Sequence, residues 1–240
     1  YFSCPQMQES RQELAEAIES IPAYVSTCRF LFVLCPLVAN ADEGGVFGPT
    51  SWAQRGWCRM ERTMREVSTD PSYFLFRSDS FVEQVATPFM SFGGAVGEGM
   101  FAVPADRDKL APVLRVTLER ALVSRLKAKD LVGYRTLLNL QKVILRGLPA
   151  KPIDGLLPDF DLQPDQDKGP TAVAVSRYLY QNGFTTVRDV DVAGCSPLCY
   201  AAMNGDPELI AALLAKHADP NDFIRKMNGK GGFPMWMSVA

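Results

Sequence analysis

DVAGCSPLCYAAMNGDPELIAALLAKHADPN, Asp191 to Asn221, decides how the second half of the chain folds. Ser196-Pro197 reads as a helix start, because a hydroxyl suits the N-cap and proline's missing N–H costs nothing in a first turn. Ala201 and Ala202 are small enough to let helices pack closely. Gly205 permits the left-handed turn between two helices. Leu213-Leu214 then fills a core from the second helix.

The same stretch resembles an ankyrin repeat, matching most fixed positions of G-x-T/S-P-L-x-x-A-A-x-x-G…L-L-x-x-x-A-D-P-N. Two positions depart from the family pattern. Cys199 stands where the family carries a histidine that ties neighbouring repeats together, and His217 stands where it carries glycine. His217 is expected in a loop at positive φ, at some cost. One repeat cannot bury its own face, so neighbours are required. Upstream, Val175 to Gly183, with Tyr178 and Leu179, reads as the second helix of a degenerate capping repeat, Leu179 lying 35 positions before Leu214. Downstream, Gly232 to Ala240 resembles the start of a further repeat. Gly194 and Gly232 are 38 positions apart against a period of about 33, so an insertion is expected between Asp222 and Gly231. An array that stops there is expected to be a fragment. The resemblance implies a module that docks a protein partner. It puts the contacts on the finger loops, at Arg188, Asp189, Asp191, Asp222 and Lys230, and on the inner helix face at Tyr200, Met203 and Asn204.

Bulk properties narrow the partners. The 240 residues are 47% hydrophobic and 22% charged with a net charge of −2, which is globular composition. A balance this close to neutral offers no basic track for nucleic acid or an anionic membrane. Six cysteines, none in a C-x-x-C pair, fit reduced thiols in an intracellular, cytoplasmic protein better than a disulfide scaffold. His217 is the only histidine, which argues against a zinc site. The longest apolar run, Phe30 to Ala39, falls short of the ~20 residues of a spanning helix.

The first half reads as α/β. Gln8 to Ile21 is an amphipathic helix that Pro22 ends or restarts, and Arg29 to Pro36 is a buried strand. Ala39 to Pro49 is a glycine-punctuated loop. Ser51 to Val67 is a helix capped by Thr50 or Ser51, and Tyr73 to Phe76 is the next strand. This alternation points to parallel strands flanked by helices. Gly93 to Gly99 lacks the Lys-Ser/Thr ending of a phosphate loop and is expected to be flexible. Helices are expected along the stripe Leu110 to Leu122 and over Leu131 to Leu145. Five prolines between Pro149 and Pro170 mark a linker. The expected domains are residues 1–125, a connecting helix 126–148, the linker 149–170 and a repeat module 171–240 with its clear repeat at 191–222.

Ala17-Ile18-Glu19-Ser20, then Phe32-Val33-Leu34-Cys35-Pro36, then Trp57-Cys58-Arg59-Met60-Glu61 resemble the middle of a Toll/interleukin receptor (TIR) domain over roughly residues 1–80. In that family S-x-W-C-x-x-E sits on a helix after a buried strand, and some members release nicotinamide from NAD+. The resemblance implies self-association or signalling. Alternatively it implies catalysis by Glu61, with Trp57 beside the nucleotide and NAD+ as substrate rather than cofactor. A single carboxylate beside the ribose can stabilise the oxocarbenium-like transition state. Tyr1 to Pro5 reads as the end of a second strand, leaving the first strand of the family missing. Trp57 and Cys58 are expected to pack against the strand ending at Cys35, with Arg55, Arg59, Arg62 and Arg65 on the solvated side and Arg65 at i+4 from Glu61.

Overall fold

A computed structural model describes residues 11–39, 44–68, 72–85, 94–158, 160–161 and 169–222. The chain divides into two compact units, residues 1–121 with 144–151, and residues 122–143 with 152–240.

The first unit is built on a small mixed sheet. Helix α1 (Arg11–Thr27) is followed by strand β1 (Phe32–Leu34), a two-residue hairpin β2 (Val38–Ala39) and β3 (Val46–Phe47), helices α2 (Pro49–Gln54) and α3 (Gly56–Val67), and strands β4 (Tyr73–Phe76) and β5 (Val82–Val85). The sheet order is β1-β4-β5. β1 pairs with β4 in parallel, Val33 opposite Leu75, and β4 pairs with β5 antiparallel, Leu75 opposite Glu83. The antiparallel β5 departs from an all-parallel sheet because only five residues separate it from Phe76, and a parallel return needs a crossover of a dozen or more residues. Arg77 N–H to the Phe81 carbonyl closes that turn at 3.0 Å.

Five further expectations are corrected. α1 runs through Pro22 to Thr27, so the proline removes one helix hydrogen bond without ending the helix. β1 is buried on one face only: Val33 and Cys35 join Tyr73, Leu75 and Trp52 in a core, while Phe32 and Leu34 alternate outward. The expected helix from Ser51 is two helices broken at Arg55, whose backbone is extended and flanked by two bonds to Met100, from Gly56 N and to the Gln54 carbonyl, both 2.8 Å. Gly48, not Thr50 or Ser51, is the cap of α2, and the Ser51 hydroxyl accepts from its N–H at 2.8 Å. Gly97 and Gly99 of the glycine cluster are packed rather than flexible. A Cβ on Gly97 would lie 2.1 Å from the Gly147 carbonyl carbon, and one on Gly99 2.5 Å from the Gly56 Cα, so two backbones touch where only glycine fits.

Helix α4 (Asp106–Lys127) buries Leu110, Leu114, Leu118 and Leu122 as the stripe predicts. In the second unit come α5 (Leu131–Ile144), α6 (Pro170–Asn182), α7 (Pro197–Asn204) and α8 (Pro207–Ala215). Part of the expected linker is strapped to these helices. Gln141 brackets Ile153, accepting from its N–H at 2.8 Å and donating to its carbonyl at 3.0 Å. Gln181 does the same to Leu157, at 3.1 and 2.8 Å. Each amide copies one rung of a β-ladder, satisfying backbone that would otherwise be buried unpaired.

Candidate functional site

The helix pair reads off its sequence as expected. Ser196 Oγ accepts from Cys199 N at 3.3 Å, Pro197 opens α7, and Gly205 closes it at φ 66°. Asp206 caps α8 by accepting from Leu209 N at 3.1 Å, which holds its carboxyl below the usual range. His217 takes the left-handed turn at φ 66°, the position that Gly183 fills at φ 63° after α6.

The neighbour that one repeat requires is supplied by α5 and α6. Leu198, Ala201, Ala212 and Leu213 pack with Val175, Tyr178 and Leu179 of α6, and Cys199, Tyr200 and Met203 pack with Val132 and Leu140 of α5. α6 covers the expected Val175–Gly183 helix and begins five residues earlier, at Pro170.

A buried polar centre joins these elements. Arg135 of α5 donates from Nε to the Asn182 carbonyl at 2.7 Å, to the Gly183 carbonyl at 3.1 Å and to Asp191 Oδ2 at 3.2 Å, with its guanidinium 4.1 Å from the centre of the Phe184 ring. Tyr200 OH donates to the same Asp191 oxygen at 2.7 Å, and Asp191 Oδ1 accepts from Ala193 N at 2.9 Å and Cys195 N at 3.0 Å. Four donors therefore neutralise one buried carboxylate, which is what a low-dielectric site demands. Burial first, and the bond to Asp191 second, push the Tyr200 phenol far up. Burial and the Asp191 charge push the Cys195 thiol up to about 12, and burial raises Cys199. These thiols are protonated at neutral pH and are not nucleophiles.

This geometry sorts the expected contact residues. Tyr200 is fully buried, Met203 is buried, and the Asp191 side chain is enclosed. Asn204 lies on a cleft of about 690 Å³ shared with α6 and the start of α8, and its Oδ1 is buried without a bond partner among the described residues. Asp189 ties the finger turn, accepting from Thr185 N at 2.6 Å, Thr186 N at 2.9 Å and Thr186 Oγ1 at 2.6 Å; these bonds hold its carboxyl below the usual range. Arg188 donates to the His217 carbonyl at 3.2 Å. Asp222 accepts from Cys199 Sγ at 3.7 Å, so the cysteine still ties its helix to the following loop where the family uses histidine. Lys230 lies outside the described residues.

The finger exposes apolar side chains beside Arg188. Val190 and Val192 are 60% and 81% exposed and Leu131 of α5 is 44% exposed. They rim a cleft of about 490 Å³ that reaches down to Arg135 and Phe184. Val190 and Val192 fall inside the finger that the sequence marks, whereas Leu131 and Arg135 were missed because 25 residues separate α5 from α6.

In the first unit the TIR-like residues Trp57 and Glu61 lie on α3. Glu61 is half-buried on α3, and Trp57 points its indole N–H at Asp106 Oδ2, 3.0 Å away at the start of α4. Trp52, not Trp57, joins the sheet core. Arg59, Arg62 and Arg65 are not the solvated side. Arg65 donates to the carbonyls of Ser72, Cys28 and Arg29 at 2.8–3.0 Å, Arg62 to Gly94 at 2.8 Å, and Arg59 to Ala53 and Ala95 at 2.7 and 3.0 Å. Carbonyls at chain turns need donors once buried, and a guanidinium reaches several at once.

Residues 193–223 match the family model of the ankyrin repeat. No curated protein and no solved structure matches the chain. Among the described residues no helix is long and apolar enough to cross a membrane.

Proposed function

We propose that the second unit is a protein-docking module whose contact surface is the finger and the cleft beneath it, with Val190, Val192 and Leu131 as anchors and Arg188 at the rim. The observation that carries this is the exposure of two valines on a finger whose base is fixed by Arg135, Asp191 and Tyr200. A rigid finger presenting apolar side chains loses little entropy on binding. Ankyrin-type repeats imply a protein partner and no chemistry of their own, so the module serves as a scaffold in a reducing, cytoplasmic setting that suits its protonated thiols. Signalling through the first unit would be an extension of this scaffold role.

The test is capture of binding proteins by the full chain and by Val190→Asp/Val192→Asp. The reading expects the retained set to fall about tenfold or more in the double variant, with an unchanged circular dichroism spectrum; an identical set would refute it. Nicotinamide release by Glu61 is not favoured, since Trp57 is engaged by Asp106 and the cations around Glu61 serve backbone carbonyls. Incubation with NAD+ is expected to show no loss of product on Glu61→Ala, and Glu61-dependent release would overturn that.

A further inference from the structure

The first unit carries an apolar surface on elements that the finger does not use. Period-two alternation sends Val33, Cys35, Tyr73 and Leu75 to the covered face of the sheet and leaves Phe32, Leu34, Phe74 and Phe76 on the other. Phe30, Phe32 and Leu34 are 51%, 56% and 74% exposed. The Phe32 ring lies 5.9 Å from Phe30, 5.7 Å from Phe74 and 5.4 Å from Phe76, so the rings form one continuous patch. Val82, opposite Phe76 on β5, extends it and is exposed. None of these residues is charged. Gln84, opposite Phe74 on β5, is exposed on the same face, and the Arg29 guanidinium stands 5.4 Å from the Phe30 ring at the margin.

We propose that this face is the interface between two copies of the chain, packed sheet to sheet. Three observations select a second copy over another protein. The patch has no charge with which to recognise a distinct partner or to reject a wrong one. An isologous two-fold contact needs only a surface that complements itself, which an uncharged array of neighbouring rings can provide. The area also fits: each half-exposed phenylalanine leaves on the order of 100 Å² to water, so the face offers roughly 500 Å² per copy and a facing pair buries about 1,000 Å², where specific interfaces begin. Such a contact is modest in size, and its core is as apolar as those of homodimers.

Sedimentation velocity of the full chain between about 1 and 100 µM reads this directly. The expected result is a shift from the chain mass to twice that mass within the range. Leu34→Lys and, separately, Phe32→Lys are expected to move the midpoint up by about tenfold or more, while Val192→Asp leaves it unchanged, which separates this interface from the finger surface. Both lysine sites face solvent in part, Leu34 the more so, and an unchanged circular dichroism spectrum is required of each variant. A wild-type chain that stays monomeric at the top concentration overturns the proposal, as does a dimer that neither lysine variant weakens.

Discussion

At the scale of single residues, Asp191 is the most consequential position in the second unit. Replacing it with alanine leaves the Arg135 guanidinium buried without its carboxylate, and removing one partner of a buried pair costs about 3–5 kcal/mol. Tyr200→Phe removes one bond to that carboxylate and is expected to cost about 1.5–3 kcal/mol. Chemical denaturation of both variants, with Arg135→Ala in the Asp191→Ala background, checks the coupling: the second substitution should cost less than it does in the wild type. His217 is the opposite case. A side chain held at φ 66° pays about 1 kcal/mol that glycine avoids, so His217→Gly is expected to raise the melting temperature, and a lowered one would contradict this. The family pattern made that position legible, since it carries glycine there. The role of Asp191 was not legible: an aspartate in a finger reads as exposed until its four donors are known, one of them 56 residues away.

At the scale of elements, several segments were read correctly in kind and wrongly in environment. The strand at Phe32 and the helix at Trp57 exist, yet burial of both strand faces and exposure of the arginines depend on which neighbours arrive, and periodicity does not carry that. The glycine cluster shows the same limit. Nothing local tells a flexible Gly-rich loop from one pressed against another backbone, and the contact partner Gly147 lies 50 residues from Gly97. Gly97→Ala is therefore expected to destabilise the first unit by about 3 kcal/mol, the upper end for overpacking, as measured by thermal unfolding; a neutral substitution would show that the two turns can separate. Acid dependence belongs to the finger and to α8. Asp189 and Asp206 both have folded carboxyls held below their ordinary value, 3.8. A lowered folded value means that their stabilisation is present above about pH 4 and is lost as pH falls through the folded values. Asp189→Asn and Asp206→Asn should each flatten the acid limb of the unfolding curve.

At the scale of the whole molecule, the chain has two units with two different kinds of surface. The second is a helix-pair array in which α5 and α6 stand in for the preceding repeat, and 25 residues of intervening chain hid that from a 33-residue period. Its architecture was legible because close-packed helix pairs demand small residues and a left-handed turn at fixed spacing. The first unit is a small mixed sheet whose open face was not legible, because uncharged runs such as Phe30 to Ala39 read equally as core. The two surfaces differ in kind: a finger that presents valines on a fixed base, and a sheet face that presents rings.

The most direct test of docking by the finger is photocrosslinking of the full chain in its native cell extract, with a benzophenone amino acid at Val192 and, as control, at Val116 on the exposed side of α4. The account predicts a discrete protein adduct from Val192 that Arg188→Glu weakens and that Val116 does not give. Equal labelling from both sites, or none from Val192, would contradict it.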